Sequence, residues 1–273
     1  LEIIKEIHFP HSLGLLYSAF TYYVGFKVNS GEYKLMGLAP YGKPLFKDLI
    51  LQKLIDLKED GSFKLNMKYF NYATGLTMTN DKFSKLFGHP VRDPNKDLLT
   101  QFHMDLAASI QAVIEEIVLR ITKNISSKYK IENLCLAGGV ALNCVANGKV
   151  QNEKIFKNIW IQPASGDAGG SLGAALAYWH HELGKPRDEF SDKMMGSFLG
   201  PKFDNNFIET KLKLLKANFK KYSKEEVTSL IAKELAKEKI VGWFQGKMEF
   251  GPRALGGRSI IADPRSEKMQ KEL

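Results

Sequence analysis

An α/β fold is predicted, and three features of the sequence carry the prediction. Ile131–Ala137 reads as a short buried strand that ends in Gly138-Gly139 and runs into the helical Val140–Gln151. Asn158–Gln162 repeats the pattern: a strand, the glycine loop Ser165–Gly170, then a helix with Leu172, Leu176, Trp179 and Leu183 on one face. Strand, glycine loop and helix twice in succession is the sequence form of helices layered on a sheet. Third, from Leu99 to about Ile125 the residues Phe102, Leu106, Ile110, Val113, Ile117 and Ile121 recur at steps of four and three. That spacing is one apolar stripe of a long amphipathic helix.

The other elements follow from local signals. His11–Tyr23, dense in small and aromatic residues, reads as a packed helix. Gly31–Gly42 is a glycine-punctuated helix that Pro40 and Gly42 terminate. Asp60–Asn71 reads as a short exposed hairpin turning at Asp60-Gly61. The polar, proline-containing Lys185–Met195 marks a boundary, giving domains 1–188 and 189–273. Beyond it, Ser223 and Glu226 form a capping box for a helix with Val227, Leu230, Ile231 and Leu235 inward. Ile240–Phe244 reads as a strand, followed by a basic loop, Lys247–Arg265.

Composition narrows the class. With 273 residues, 44% hydrophobic and 25% charged, the chain can bury the core of one large or two ordinary domains, which excludes a disordered tail, a collagen-like repeat and a disulfide scaffold. No apolar run approaches the ~20 residues of a membrane span. The chain begins with Leu1 and ends in the polar Ser266–Leu273, and is expected to be a piece of a longer protein. Cys135 and Cys144 are too few for a disulfide framework and are expected to be buried free thiols in a reducing cytoplasm. The net charge of +9 is uneven: residues 191–273 carry 17 Lys/Arg against 11 Asp/Glu. Such a segment suits phosphate ligands or nucleic acid, or is solvated helix surface.

Three motifs could carry chemistry. In Leu136–Asn143 (LAGGVALN) two glycines between strand and helix let backbone N–H groups approach an anion or a nucleotide, and Asn143 offers an amide one turn into the helix. A tight turn with no ligand is an equal alternative. In Pro163–Ser171 (PASGDAGGS) Asp167 is the one carboxylate of a glycine-rich loop, suited to a divalent cation that holds phosphate oxygens, or to an ordinary helix cap. In Gly246–Arg265, Lys247, Arg253, Arg258 and Arg265 lie among glycines, and guanidinium forks there could bind phosphate or carbamoyl oxygens bidentately. His8-x-x-His11 has metal-like spacing but Pro10 interrupts it, and His180-His181 sits near a helix end.

Phe9–Gly42 (FPHSLGLLYSAFTYYVGFKVNSGEYKLMGLAPYG), Leu136–Asn143, Pro163–Leu176 (PASGDAGGSLGAAL) and Phe250–Arg265 (FGPRALGGRSIIADPR) together resemble the NodU/CmcH family of O-carbamoyltransferases, four motifs in the family's order. The resemblance implies part of an actin-like ATPase (ribonuclease H-like) domain, then the start of a YrdC-like α/β domain. It implies that ATP and carbamoyl phosphate give a carbamoyl adenylate, whose carbamoyl group passes to a hydroxyl of a sugar or other small acceptor.

Position by position, it places Glu32 at a nucleotide ribose with Lys34 beside it, and Gly138, Gly139 and Asn143 along the adenylate. It makes Asp167 one ligand of a metal, Fe2+ in this family, and assigns Lys247, Arg253, Arg258 and Arg265 to a carbamoyl phosphate or nucleotide pocket. His11 is a candidate proton acceptor from the hydroxyl, or a hydrogen-bonded helix-entry histidine. The family's metal site also uses a His-x-x-x-His pair and a further Asp that no segment of this chain matches. The chain alone is therefore expected to bind iron weakly and not to transfer carbamoyl groups. The alternatives are an RNA-directed threonylcarbamoyl-type transferase and a non-catalytic nucleotide-binding module. No aromatic-and-basic RNA motif is present, so a nucleic-acid partner is not expected. The motifs name neither the acceptor nor an oligomeric state.

Overall fold

The computed structural model describes residues 2–187 and 194–273. The expected boundary at residues 188 and 189 lies outside the described residues. The chain divides into two compact units, Leu1–Gln162 and Pro163–Leu273.

The first unit is built on one long helix. Its elements are α1 (Leu13–Tyr23), α2 (Glu32–Leu38) continued by a 3-10 turn at Ala39–Tyr41, α3 (Lys47–Lys53), the hairpin β1 (Ile55–Leu57) and β2 (Phe63–Leu65), α4 (Asp81–Phe87), α5 (Gln101–Tyr129), β3 (Asn133–Leu136), a 3-10 turn at Gly139–Leu142, α6 (Cys144–Asn152) and β4 (Asn158–Ile161). The expected stripe is the core side of α5: Leu106, Ile110, Val113 and Ile117 are fully buried. Leu16, Phe20 and Tyr23 of α1, Leu35 of α2, Ile50 of α3 and Phe83 and Phe87 of α4 join them in one apolar cluster. Phe20 meets Phe83 edge-on at 5.2 Å, the arrangement that ring quadrupoles favour.

β3 and β4 pair in parallel, Asn133 opposite Asn158 and Leu136 opposite Ile161. Parallel neighbours need a crossover, here the 3-10 turn and α6, so this is the predicted strand–glycine loop–helix–strand unit.

Three expectations are corrected. The hairpin does turn at Asp60-Gly61, where Gly61 has φ +83°, but its strands are Ile55–Leu57 and Phe63–Leu65 and it is not simply exposed. Ile55, Phe63 and Leu65 alternate with Asp56 and Lys64, which puts the apolar side chains into the core. The helix after Gly139 is broken: residues 139–142 form a 3-10 turn and α6 starts at Cys144. Both cysteines are exposed; Cys135 faces outward on β3, whose alternation turns Leu134 inward instead.

The second unit contains α7 (Asp167–Ala177), α8 (Asn205–Leu214), α9 (Lys224–Ala236), the antiparallel pair β5 (Val241–Phe244) and β6 (Arg258–Ile261), and α10 (Met269–Glu272). The capping box is formed: Ser223 Oγ accepts from Glu226 N at 3.2 Å and Glu226 Oε2 accepts from Ser223 N at 2.7 Å. The faces expected to turn inward are less covered than the sequence suggests: Leu176, Trp179, Leu183 and Leu230 are exposed. The expected basic loop is a hairpin, because Arg258–Ile261 pairs with β5.

Two glycines of the segment Gly31–Gly42 behave oppositely. A Cβ at Gly42 would stand 2.0 Å from the backbone oxygen of Met104 on α5, whereas one at Gly37 would meet nothing within 4 Å. Gly42→Ala should therefore destabilise the chain by about 2 kcal/mol or more, and Gly37→Ala should stabilise it by about 0.5–1 kcal/mol through helix propensity and chain entropy. Urea unfolding followed by circular dichroism reads both.

Candidate functional site

In the first unit the functional candidates collect where α1, α2, α5 and the turn before α6 meet. Gly138 takes φ +95°, a conformation that glycine adopts without strain, and so turns the chain out of β3. Space around Gly138 and Gly139 is open. Asn143 is not inside a helix, as the sequence suggested, but is the N-cap of α6. Its Oδ1 accepts from Ala146 N at 3.1 Å, satisfying one of the donors that a helix start leaves unpaired.

The same side chain is paired with a residue that sequence reasoning missed. Gln111 Nε2 donates to Asn143 Oδ1 at 3.1 Å, and Asn143 Nδ2 donates to Gln111 Oε1 at 3.0 Å. Tyr17 Oη donates to Gln111 Oε1 at 3.0 Å, and Gln111 Nε2 donates to Glu115 Oε1 at 2.9 Å. Lys149 of α6 closes the series with an ion pair to Glu115. Gln111, Glu115 and Asn143 are all buried, and a buried polar series is tolerated only when its members are paired. Burial first, then the nearby Glu115 and Glu32 carboxylates, push the Tyr17 hydroxyl well above its ordinary pKa, so it stays a donor at neutral pH. A signal was present: Gln111 and Glu115, polar and four apart, stand beside Ile110 and Ile114 within the buried stretch of α5.

Glu32 opens α2, and its Oε1 accepts from Ser18 Oγ at 2.7 Å and from Asn29 N at 2.9 Å. Lys34 is exposed. His11 Nδ1 accepts from Leu65 N at 3.1 Å, a hydrogen bond of the kind that the helix-entry alternative expects.

In the second unit Asp167 is the first residue of α7 and is exposed, while Gly166 is the N-cap and supplies no side-chain bond. Among the described residues no group of three or more His, Cys, Asp or Glu could hold a metal ion, so the residues present do not make an iron site around Asp167.

The arginine segment is more ordered than a solvated loop. Arg258 Nε donates to Glu249 Oε2 at 3.1 Å, and Arg265 Nε donates to Asp263 Oδ1 at 2.8 Å. Both guanidinium groups are thus paired with carboxylates of the chain, Arg258 half-buried and Arg265 largely exposed. Arg253 is half-buried and Lys247 exposed. Gly251, Pro252, Arg253, Ala254 and Arg258 line a shallow depression of about 310 Å³.

The carbamoyltransferase N-terminus family matches residues 1–176, and the carbamoyltransferase C-terminus family matches residues 232–273. The chain belongs to the carbamoyltransferase family. It is 64% identical to an uncharacterized Synechocystis protein over 97% of this chain and 43% of that protein. It is 38% identical to nodulation protein NolNO of Sinorhizobium fredii over 97% of this chain and 37% of that protein, and 36% identical to nodulation protein NolO of Bradyrhizobium diazoefficiens over 96% and 46%. The chain thus spans less than half the length of these curated relatives. No helix among the described residues is long and apolar enough to cross a membrane.

Two outcomes are expected of these pairings. Gln111→Leu removes the acceptor of Asn143 Nδ2 and of the Tyr17 hydroxyl, and should lower the unfolding free energy by about 1–3 kcal/mol in urea titrations. Burial pushes the Glu249 carboxyl up, but the N–H groups of Leu255 and Arg258 and the Arg258 guanidinium outweigh it and hold its pKa at about 2. A carboxyl whose folded pKa lies below its ordinary 4.5 stabilises the fold above that value, and the contribution is lost as pH falls toward 2. Glu249→Gln should therefore be less stable than the parent at pH 7, with the difference shrinking below pH 4. Fluorescence of Trp243, with Trp160 and Trp179 replaced by Phe, reports it.

Proposed function

We propose that the chain is part of an O-carbamoyltransferase that draws a carbamoyl group from carbamoyl phosphate, activates it with ATP as carbamoyl adenylate and passes it to a hydroxyl of a small-molecule acceptor. The observation that supports this reading is that the N-terminal and C-terminal carbamoyltransferase families match one chain in their own order. Family members of similar sequence carry the names nodulation protein NolO and nodulation protein U. A sugar or natural-product hydroxyl is accordingly the acceptor class proposed, and a soluble, cytoplasmic setting is proposed with it.

Within the chain, the open backbone at Gly138 and Gly139 is the proposed seat of the adenylate. Asn143 sets the position of that turn from α6, and Glu32 is the proposed ribose contact. Lys34 is a cation beside Glu32, free to reach toward phosphate. Lys247 and Arg253 are the proposed cations for carbamoyl phosphate, where charge on the transferring group must be matched. A metal, proposed as Fe2+, would need ligands beyond Asp167.

One water cleaves carbamoyl phosphate to carbamate and phosphate, the carbamate oxygen attacks the α-phosphorus of ATP and expels pyrophosphate, and the acceptor hydroxyl, losing its proton, then takes the carbamoyl group and expels AMP. The full-length gene product, given ATP, carbamoyl phosphate and a panel of sugar acceptors, should form AMP and an acceptor carbamate, both detected by mass spectrometry. AMP formation that does not require carbamoyl phosphate, or no carbamate on any acceptor, would sink the reading. A tRNA arm in the same assay separates it from an RNA-directed transferase.

A further inference from the structure

The structure assigns Glu249 as the positioning residue of the arginine loop, with Arg258 acting through Glu249 and not on the ligand. This inference rests on the carbamoyl phosphate reading of the loop.

Its basis is a closed set of bonds. The Glu249 side chain is fully buried. Its Oε1 accepts from Leu255 N at 2.9 Å, Gly257 N at 2.7 Å and Arg258 N at 3.1 Å, while its Oε2 takes Arg258 Nε at 3.1 Å. The Glu249 backbone oxygen accepts from Arg258 Nη2 at 2.9 Å. Successive N–H groups with a guanidinium are the makings of an anion site, and here the chain's own carboxylate fills it. A Cβ at Gly257 would stand 2.7 Å from Lys247 O and 3.0 Å from Glu249 Oε2, so this closure needs glycine there.

The effect is to tie off a loop at both ends. Glu249 at its start is bonded to Leu255 at its end, which leaves Gly251–Ala254 as the turn between them. The stem is held as well: Met248 N donates to Pro201 O at 3.1 Å and Phe250 N donates to Ser197 O at 2.7 Å. Gly251, Pro252, Arg253 and Ala254 line the depression together with Arg258, whose Nε and Nη2 are taken up by Glu249. Glu249 thus fixes where Arg253 stands without facing the depression itself. A buried carboxylate in the middle of a basic segment, unexplained by phosphate binding, acquires a role.

The test uses the full-length gene product as parent, Glu249→Gln, Arg258→Gln and the double variant. Each is titrated with carbamoyl phosphate by calorimetry and assayed for KM and kcat. Positioning predicts that Kd and KM for carbamoyl phosphate rise about tenfold in each single variant, with kcat within about twofold and the double variant no weaker than the weaker single. Arg258→Gln leaves the carboxylate its three backbone donors, so it carries the comparison if Glu249→Gln does not fold. A lower kcat at unchanged KM, the mark of fewer folded molecules, overturns the inference. So does a further tenfold loss in the double variant, because Arg258 would then touch the ligand itself. A parent that binds carbamoyl phosphate but carbamoylates nothing refutes the proposed activity alone, and the Kd comparison still decides on Glu249. A parent that does not bind carbamoyl phosphate refutes both.

Discussion

The first unit depends on α5 being buried along most of one side. Its 29 residues extend about 44 Å at 1.5 Å per residue; α1, α2 and α3 pack against it, and α4 joins the same apolar cluster. A helix so enclosed must satisfy any polar side chain it carries inward. Gln111 and Glu115 meet that demand by reaching across to Tyr17, Asn143 and Lys149. The constraint that makes the core also fixes the turn after β3, because the turn ends at the residue that Gln111 holds.

Regular elements with strong periodicity were legible in the sequence. The stripe of α5 and the Ser223–Glu226 box stand where spacing put them, and the strand–glycine loop–helix unit is present with its helix starting later, at Cys144. What escaped depends on partners distant in sequence. Gln111 lies 32 residues from Asn143, so neither shows its role in its own window. The four bases of the arginine segment looked equivalent because charge was legible but pairing was not. The geometry gives Arg258 and Arg265 a carboxylate each, sets Arg253 and Arg258 at the depression and leaves Lys247 at the surface. The bond from Leu65 N–H to His11 Nδ1 was hidden for a similar reason, since nothing local announces a partner so distant in sequence.

The formal charge is a poor guide to the field that a ligand would meet. In the second unit Glu209 pairs with Lys213 and Lys221, Glu234 with Lys237 and Lys239, and Glu249 with Arg258. The lysine pairs, which are exposed, contribute little stability, yet they and the buried Glu249 pair matter for recognition, since a paired cation presents less attraction at a distance. The positive excess of residues 191–273 is therefore spread over pairs and solvated lysines more than focused in one place.

The Gln111–Asn143 pair has one further consequence. Two carboxamides facing each other could each be turned over, but Ala146 N–H demands the oxygen of Asn143 and the Glu115 carboxylate demands the nitrogen of Gln111. These demands agree, and the Tyr17 hydroxyl then meets an oxygen, as a donor must. The series is consequently a one-way street. Every hydrogen has a single assigned owner, so the connection between α1 and α6 transmits position and cannot pass a proton along its length.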